Sequence, residues 1–326
     1  MPALLTVLIC THDREALLES ALRSLDACRR PAAGLVEILV VANACRDGTH
    51  AMLDAWRARR DGLLPLEWAA EPTPGKSHAL NRGAAALRSE WVAIVDDDHR
   101  VSEDFLVRVT QAIAEHPRAS LLCGRILPDW DGREPAWVHD SGPYRVYPLP
   151  IPRQDFGDAP RELGVDGPIP GGGNQIIRAD VLRRLGPFST DLGPQGHDLG
   201  GGEDTEYMLR AVRAGERLWY VPDIVQYHYV DLERLALPYL MRKAYQRSAS
   251  SVASHGTPGT RTRGVPLYLY RKFAGYAAGA LTSIGGARRR FYLVRSAAAL
   301  GEMAGHRRLA RWAAAAEAAP AGPDHA

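Results

Sequence analysis

The chain has 326 residues, and its 46% hydrophobic and 24% charged content is typical of a folded globular protein and argues against a disordered one. The net charge is only +2, but residues 231–326 contain 15 Lys and Arg against 5 Asp and Glu, whereas residues 1–230 contain 25 against 33. An acidic body with a basic C-terminal segment indicates two parts with different surroundings, while four scattered cysteines without a CxxC pair argue against a zinc site and favour a reducing compartment.

The first residues, "MPALLTVLICTHDR", lack the basic region of a signal peptide and pass directly into a strand pattern. No window in the chain holds roughly 18 uninterrupted apolar residues, the length that a spanning helix needs. We therefore expect a cytoplasmic protein without a transmembrane helix.

Strand and helix patterns alternate through the first hundred residues. The predicted strands are "LLTVLIC", "VEILVVAN", "LEWAAE" and "WVAIV", and the helical patterns between them are "EALLESALRSLDAC", "HAMLDAWRARR" and "SHALNRGAAALR". This alternation predicts an α/β fold in which helices cover both faces of a largely parallel sheet. Ligands bind such sheets at the carboxyl ends of the strands, so we expect the site in the loops at 11–14, 43–49 and 96–98.

Three adjacent carboxylates, Asp96, Asp97 and Asp98, follow the last of these strands without a break. Adjacent like charges raise one another's pKa unless a positive group offsets them. Mg²⁺, Mn²⁺ and Ca²⁺ prefer carboxylate oxygens, so the triplet is a candidate cation site. The alternative is the capped, solvated start of a helix, because "SEDFLVRV" soon becomes helical.

Lys76 ends the Gly/Pro loop "PTPGK", and Asn81 and Arg82 lie in the first turns of the helix "SHALNRGAAALR" that opens there. A helix start with basic side chains suits phosphate binding. The chain lacks GxxxxGK[ST] and has no GxGxxG after the first strand, so a P-loop and a dinucleotide fold of that type are disfavoured.

The regular alternation ends near residue 128, and residues 128–173 form a long irregular segment rich in Pro, Gly, Trp and Tyr. Loops of this length are usually functional or mobile. A turn, a strand and a helix are predicted in "GGGNQIIRADVLRRLGPF", and "RLWYVPDIVQYHYV" predicts a further pair of strands. His228 in the second of that pair is either a packed side chain or a ligand.

The glycine-rich loop before "EDTEYMLR" opens another helix, with Glu203 and Asp204 in its first turn. Acidic residues there complement the helix dipole, which gives them a structural role. Because glycines let the backbone approach a ligand closely, a carboxylate in such a pocket is also a candidate general base.

Taken together, these motifs resemble the inverting glycosyltransferases of family 2, which have the GT-A fold, a Rossmann-like mixed sheet flanked by helices. The resemblance covers about Leu4 to Val230 and rests on the order of "VLICTHDR", "EILVVANACRDGT", "PGKSHALNRG", "VDDD", "GGGNQIIRADVLRRLGPF", "GGEDTEYMLR" and "VPDIVQYHYV". We accordingly predict a GT-A catalytic domain at 1–230, a helical extension at 231–312 and a disordered tail at 313–326.

The resemblance implies a role for each motif. Asp96 and Asp98 match the ends of the DxD motif, so Asp98 is expected to bind Mn²⁺ or Mg²⁺ on the diphosphate and Asp96 to contact the nucleoside. His228 matches a position that completes the metal shell in some members, and Asp204 matches the general base. Further contacts are implied with the donor at Thr11, Arg14, Asn43, Lys76 and Asp97, and with the donor sugar and acceptor at Gly172, Gly173, Asn174 and Glu203.

The implied reaction is a hexosyltransferase reaction of the kind used in polysaccharide biosynthesis. A sugar passes from a nucleotide-diphosphate sugar to a hydroxyl of a glycan, a lipid-linked sugar or a small molecule, in one displacement that inverts the anomeric configuration. The chain departs from the family at Ala42, where an Asp often holds the nucleotide base, so UDP, GDP and dTDP donors all stay open.

Two alternatives stay open as well. A nucleotidyltransferase that makes nucleotide-sugars also has an α/β fold and acidic metal sites, but it usually has a Gly-rich basic loop after its first strand, and "THDR" is not one. A non-catalytic nucleotide-sugar or glycan-binding protein would not need both Asp98 and Asp204.

The basic C-terminal segment is either a helical brace on the catalytic domain or a peripheral membrane contact at the inner membrane face. The second interpretation assigns Arg288, Arg289, Arg290 and Arg295 to an anionic surface, with Phe291 and Tyr292 entering the interface. No nucleic-acid-binding motif is present, and we expect no nucleic-acid partner.

Overall fold

The computed structural model describes residues 3–32, 35–59, 63–192, 202–255, 261–262 and 264–318. The chain divides into two compact units. The first unit consists of Met1–Asp129 and Pro152–Tyr229, and the second consists of Trp130–Ile151 and Val230–Ala326.

The first unit is built on a nine-stranded sheet in the order β3-β2-β1-β4-β8-β6-β9-β5, with β7 also paired to β9. Its strands are β1 (Leu5–Thr11), β2 (Val36–Asn43), β3 (Leu66–Glu71), β4 (Trp91–Ile94), β5 (His99–Val101), β6 (Leu121–Asp129), β7 (Arg161–Leu163), β8 (Gln175–Arg178) and β9 (Leu218–Tyr229). Strands β1 to β4 pair in parallel, and β8 runs antiparallel between β4 and β6, so the sheet is mixed.

Helices cover both faces of this sheet, as the alternation predicts. They are α1 (Glu15–Asp26), α2 (Thr49–Ala58), α3 (Lys76–Ala86), α4 (Phe105–Glu115), α5 (Ala179–Leu185) and α6 (Glu203–Arg213). Side chains of β1 point alternately to two cores: Leu5 and Val7 pack with α1, α2 and α4, whereas Leu8 packs with α3, α5 and α6.

The predicted strand pair at the end of the first unit is wrong, because β9 is one strand of 12 residues. It pairs with β6 on both sides of a register shift between Cys123 and Arg125, and the shift absorbs Val221–Ile224. Pro222 in this stretch suggested a turn, but a bulge lets a strand continue past a proline. Glycine is required opposite the bulge, since a Cβ at Gly124 would lie 2.0 Å from the carbonyl oxygen of Ile224.

The second unit is mainly helical. Its elements are α7 (Leu237–His255), α8 (Leu267–Thr282), α9 (Gly286–Ala318), the short strands β10 (Arg261–Thr262) and β11 (Val265–Pro266), and 3₁₀ turns at Ala136–His139 and Leu232–Leu235. Helix α9 therefore extends into the segment for which disorder is predicted, and 319–326 lie outside the described residues. Among the described residues, no helix has both the length and the apolar content needed to cross a membrane.

Candidate active site

The loops that follow the central strands converge within the first unit. Asp96, Asp97 and Asp98 follow β4, and the short strand β5 comes before α4, so the triplet does not cap that helix. Thr11 ends β1, and Arg14 precedes α1. The carboxyl ends of parallel strands share one edge of a sheet, which brings these segments together.

Asp97 is held by residues from the first strand and its loop. Its carboxylate accepts a hydrogen bond from Thr11 Oγ1 at 2.8 Å and another from the Arg14 guanidinium at 3.0 Å. Arg14 also contacts Asp98 Oδ2 at 3.1 Å, so one cation bridges two carboxylates of the triplet. Burial and the neighbouring Asp98 raise the pKa of Asp97 to about 6, against the opposing effect of Arg14.

Asp98 faces two imidazoles. His99 and His228 are direct partners in the antiparallel pairing of β5 with β9, and their ring centroids lie 5.0 Å apart. Nε2 of His99 lies 3.8 Å from Asp98 Oδ1, and Nε2 of His228 lies 3.7 Å from Asp98 Oδ2. Ligand atoms of all three side chains lie within 4.8 Å of one another, a spacing that one cation could bridge.

The hydrogen bonds around the two rings fit a metal-binding role. His99 Nδ1 lies 2.6 Å from Oε1 of Gln226, whose amide nitrogen donates to the Ile94 carbonyl, so Nδ1 is the protonated nitrogen. His228 Nδ1 lies 2.6 Å from the Tyr229 carbonyl oxygen. Both rings therefore direct the Nε2 lone pair towards Asp98, the arrangement that orients histidines on metals. Burial lowers the pKa of His228 despite Asp98, which favours the neutral ring that a metal needs.

A second cluster forms around Lys76, the first residue of α3. Its Nζ lies 2.9 Å from Asp96 Oδ1, 3.4 Å from Asp204 Oδ2 and 3.6 Å from Glu203 Oε1. Burial opposes the charge of the ammonium, but the three carboxylates outweigh it and raise the pKa of Lys76 well above its ordinary value. Burial also opposes ionisation of Asp96, yet Lys76 and His99 together lower the pKa of that carboxyl.

Asp204 differs from the other acids of the cluster. Burial is the main cause that raises its pKa to about 7, and Asp96 and Glu203 add to the effect while Lys76 opposes it. Its Oδ2 accepts a hydrogen bond from the Gly172 backbone at 3.1 Å, whereas its Oδ1 is buried and has no hydrogen-bond partner among the described residues. A carboxylate that titrates near neutral pH and keeps one oxygen unused can take a proton from a ligand.

The glycine turn before β8 connects the two clusters. Gly172 donates to Asp204, and the Gly173 backbone donates to Asp96 Oδ2 at 3.0 Å. A Cβ at Gly173 would lie about 3.0 Å from His99 and 3.2 Å from Asp96, so the close approach requires glycine. Asn174 adopts a positive φ of 61°, and its amide donates to the carbonyls of Arg125 and Ile224, which fixes the turn to β6 and β9.

An open cavity of about 360 Å³ lies against both clusters. Its lining includes Asp96, His99, Gly171, Gly172, Gly173 and His228, together with Pro152, Arg153, Gln154 and Phe156 from the irregular segment. Gln154 fixes that segment, because its amide donates to the Gly124 carbonyl and accepts from the Gly171 backbone.

The side chains of Asn43 and Asn81, near the predicted donor loops, hydrogen-bond to the backbone of neighbouring segments. The Asn43 amide donates to the carbonyls of Glu71 and Thr73 and accepts from the Gly75 backbone, so it positions the loop before Lys76. Asn81 exchanges two hydrogen bonds with the Phe188 backbone and so fixes the chain after α5 to α3.

The residues that sequence reasoning missed are His99, Gln154 and Gln226. A signal existed for two of them: His99 directly follows the acidic triplet, and Gln226 lies two positions before His228, on the same face of a strand. Gln154 has no local signal in the sequence.

The model of the Glycosyl transferase family 2 matches residues 6–186. The chain is 24% identical over 243 residues to the succinoglycan biosynthesis protein ExoM of Rhizobium meliloti (strain 1021), covering 73% of this chain and 71% of that one. It is 22% identical over 216 residues to the glucosyl-dolichyl phosphate glucuronosyltransferase of Haloferax volcanii, covering 66% of each chain.

Solved structures share the GT-A fold. A mannosyltransferase from Pyrobaculum calidifontis in complex with GDP-Man and Mn²⁺ matches 98% of this chain and 77% of its own with a TM-score of 0.51 at 18% identity. S. aureus TarS 1–349 in complex with UDP-GlcNAc matches 96% and 92% with a TM-score of 0.53 at 15% identity. In a longer TarS structure, the chain spans 55% of the other protein's length.

Proposed function

Since the chain belongs to glycosyl transferase family 2 and is a nucleotide-sugar-dependent glycosyltransferase, we propose that it transfers a sugar to an acceptor hydroxyl with inversion, in a metal-dependent reaction. The observation that carries this proposal is the proximity of the two acidic groups. Asp96, from the triplet, and Asp204, from the start of α6, both lie within 3.4 Å of the Lys76 ammonium, and the second oxygen of Asp96 lies 3.9 Å from Nε2 of His99, which groups with Asp98 and His228.

Asp98, His99 and His228 would hold Mn²⁺ or Mg²⁺. Carboxylate with neutral imidazole suits Mn²⁺ better than Mg²⁺, which prefers oxygen ligands. When bound, the cation would neutralise charge on the diphosphate leaving group. The Mn²⁺ in the Pyrobaculum mannosyltransferase structure supports this assignment.

Asp204 is the proposed general base. Its unpartnered oxygen accepts the proton of the acceptor hydroxyl as that oxygen attacks the anomeric carbon from the face opposite the leaving group. One displacement inverts the configuration, and no nucleophilic side chain is needed. Lys76 keeps Asp96 and Asp204 close together, where their repulsion would otherwise separate them.

The donor is proposed to bind along Thr11, Arg14 and Asp97, with its sugar at Gly172 and Gly173. The related structures contain UDP-GlcNAc and GDP-Man, so they do not decide which nucleotide base the donor carries. Ala42 does not decide it either, because it stands where an Asp often holds that base. The named functions of the relatives favour a glycan or a lipid-linked sugar as the acceptor.

Hydrolysis of a panel of UDP-, GDP- and dTDP-sugars, with and without Mn²⁺, tests the proposal. We expect slow release of the nucleoside diphosphate from one donor class, dependent on Mn²⁺ and lost in Asp204→Asn. Pyrophosphate release from a nucleoside triphosphate and a sugar phosphate would indicate a nucleotidyltransferase. Binding of a nucleotide-sugar without any turnover would indicate a non-catalytic binding protein.

A further inference from the structure

We propose that the connection between α8 and α9 docks on an anionic lipid bilayer. This inference concerns only the second unit and does not depend on the proposed reaction. It starts from two apolar side chains with nothing packed over them: Leu281 is 88% exposed and Ile284 is 100% exposed.

Both side chains lie at the tip of a helical hairpin. Lys272 pairs with Glu302 at 2.8 Å, and a Cβ at Gly279 would meet the Tyr292 ring at 2.9 Å, so α8 and α9 run antiparallel. The connecting residues Ser283–Gly285 are therefore the turn, with Ile284 inside it and Leu281 in the last turn of α8 just before it. We call Leu281–Arg290 the hairpin tip.

All the charged residues in the sequence around the hairpin tip are basic. Between Gly264 and Gly301 there are six Lys and Arg residues and no Asp or Glu. Arg288, Arg289 and Arg290 follow the turn directly, and Arg288 and Arg289 are exposed. Arg289 forms no side-chain ion pair with any residue that the structure describes.

Arg290 lies over the Trp137 ring at 4.2 Å and Arg288 over the Tyr144 ring at 5.3 Å, but among the described residues no side-chain contact accounts for Arg289, and no carboxylate pairs with any of the three. All three arginines lie in the first turns of α9, where the positive end of the helix dipole disfavours cations. An anionic surface would offset that cost, while exposed apolar side chains beside it enter the boundary between headgroups and acyl chains. Charge and exposure thus match one occupant, a bilayer that contains anionic lipid.

The apolar side chains that are free to enter a membrane differ from those that the sequence assigns to that role. Phe291 and Tyr292, which the sequence assigns to it, pack on Tyr144 with ring centroids 5.7 and 5.9 Å apart, and Arg290 lies over the Trp137 ring. These aromatics hold the segment at 130–151 against α9. Leu281 and Ile284 take their place in the proposal.

The test measures co-sedimentation of the full chain with vesicles of phosphatidylcholine alone and of phosphatidylcholine mixed with phosphatidylglycerol, at low and high salt. We expect binding only to the mixed vesicles, weakened by salt because screening shortens electrostatic attraction. Arg288→Gln with Arg289→Gln should weaken binding roughly 10- to 30-fold, given the usual contribution of each basic residue near an anionic surface.

Leu281→Ser with Ile284→Ser should weaken it by about 10-fold or more, because both side chains lose burial in the interface. The charge-matched control is Arg307→Gln with Arg311→Gln, on exposed positions far along α9 from the tip, and it should bind within about twofold of the unmodified chain. Donor hydrolysis without lipid should be the same in all four proteins.

Three outcomes would overturn the proposal. They are equal partitioning to both vesicle types or to neither, tip variants that bind as the unmodified chain does, and a concentration-dependent dimer that the tip variants dissociate. The last result would assign the hairpin tip to a second copy of the chain. Because the substituted side chains are exposed, a thermal melt should show that the variants stay folded.

Discussion

At the scale of single residues, Lys76 has a different role from the one that its sequence position indicates. A lysine at the start of a helix after a Gly/Pro loop indicates phosphate binding, but its Nζ lies among Asp96, Glu203 and Asp204. It is the positive group that the acidic cluster needs. Donor binding by Lys76 stays a prediction, and its side chain keeps 19% of its surface exposed.

The pH dependence of donor hydrolysis should report the ionisation of Asp204. A general base must be deprotonated, and burial beside Asp96 and Glu203 raises the pKa of Asp204 to about 7, against Lys76. We therefore expect kcat/KM to rise with pH through about 7 and to fall by roughly tenfold per unit on the acid side.

Asp204→Asn should remove the fall of kcat/KM on the acid side of the pH profile. It should also lower kcat by a factor on the order of 10²–10⁴, while donor affinity changes little. Glu206→Gln is a matched control, because Glu206 lies on the same helix but pairs with Arg210. A variant that keeps its kcat but loses donor affinity would show that Asp204 is a donor ligand and that the base is another residue.

Metal-dependent donor binding should depend on the set around Asp98. Asp98→Asn should abolish the Mn²⁺-dependent part of nucleoside diphosphate binding, since it removes the charged ligand between the two imidazoles. His99→Ala should weaken Mn²⁺ binding by roughly 10- to 100-fold or more, the range known even for residues that only support a ligand.

Isothermal titration of the nucleoside diphosphate with Mn²⁺ measures both effects. His116→Ala is the control, because that ring stacks on Trp219 and is remote in sequence from the triplet. Unchanged affinity in Asp98→Asn would exclude the triplet from the metal site.

At the scale of elements, close helix packing depends on two glycines of α9. A Cβ at Gly301 would lie 2.1 Å from the Tyr245 carbonyl oxygen, and one at Gly305 would lie 2.6 Å from that of Ala249. The backbones of α7 and α9 therefore approach so closely that no side chain fits between them.

Gly301→Ala should consequently destabilise the protein by about 1–3 kcal/mol, the usual cost of overpacking, despite the better helix propensity of alanine. Gly275→Ala in α8 is the control, because a Cβ there meets nothing within 4 Å, and it should be neutral or slightly stabilising. Urea unfolding of both variants measures the difference. Equal stability of the two would contradict the close packing of α7 on α9.

At the scale of the whole molecule, the second unit is discontinuous in sequence. Trp130–Ile151 clusters with the C-terminal helices, although the resemblance assigns it to a catalytic domain at 1–230. In this unit, Trp137 is covered by Arg290, and Tyr144 packs on Phe291 and Tyr292.

A chain that ends at Tyr229 would leave Trp137 and Tyr144 without these partners. We expect the truncated protein to elute from size-exclusion chromatography as aggregate or in low yield, because it exposes aromatic surface that the full chain buries. Trp137→Ser with Tyr144→Ser in the truncated chain should partly restore a monodisperse peak. A monodisperse, active truncation without these changes would show that 130–151 needs nothing from the C-terminal helices.

The sequence by itself determined the α/β architecture and predicted the loops that meet at the candidate site. Strand and helix periodicity is local, and β1 to β4 with their helices follow it closely. The sequence also singled out the acidic triplet, Asp204 and the glycines before β8 as candidates, although helix capping and dipole complementation were alternative roles for the acids.

Only the tertiary structure decided which of these groups meet. His99 and His228 lie 129 positions apart in the chain and become neighbours through the register of β5 on β9, and Lys76 reaches Asp204 through the packing of α3 and α6 on one face of the sheet. It also decided that Phe291 is packed while Ile284 is exposed. Local sequence patterns do not encode contacts between distant segments, because strand register and helix docking are set by the summed packing of the whole core.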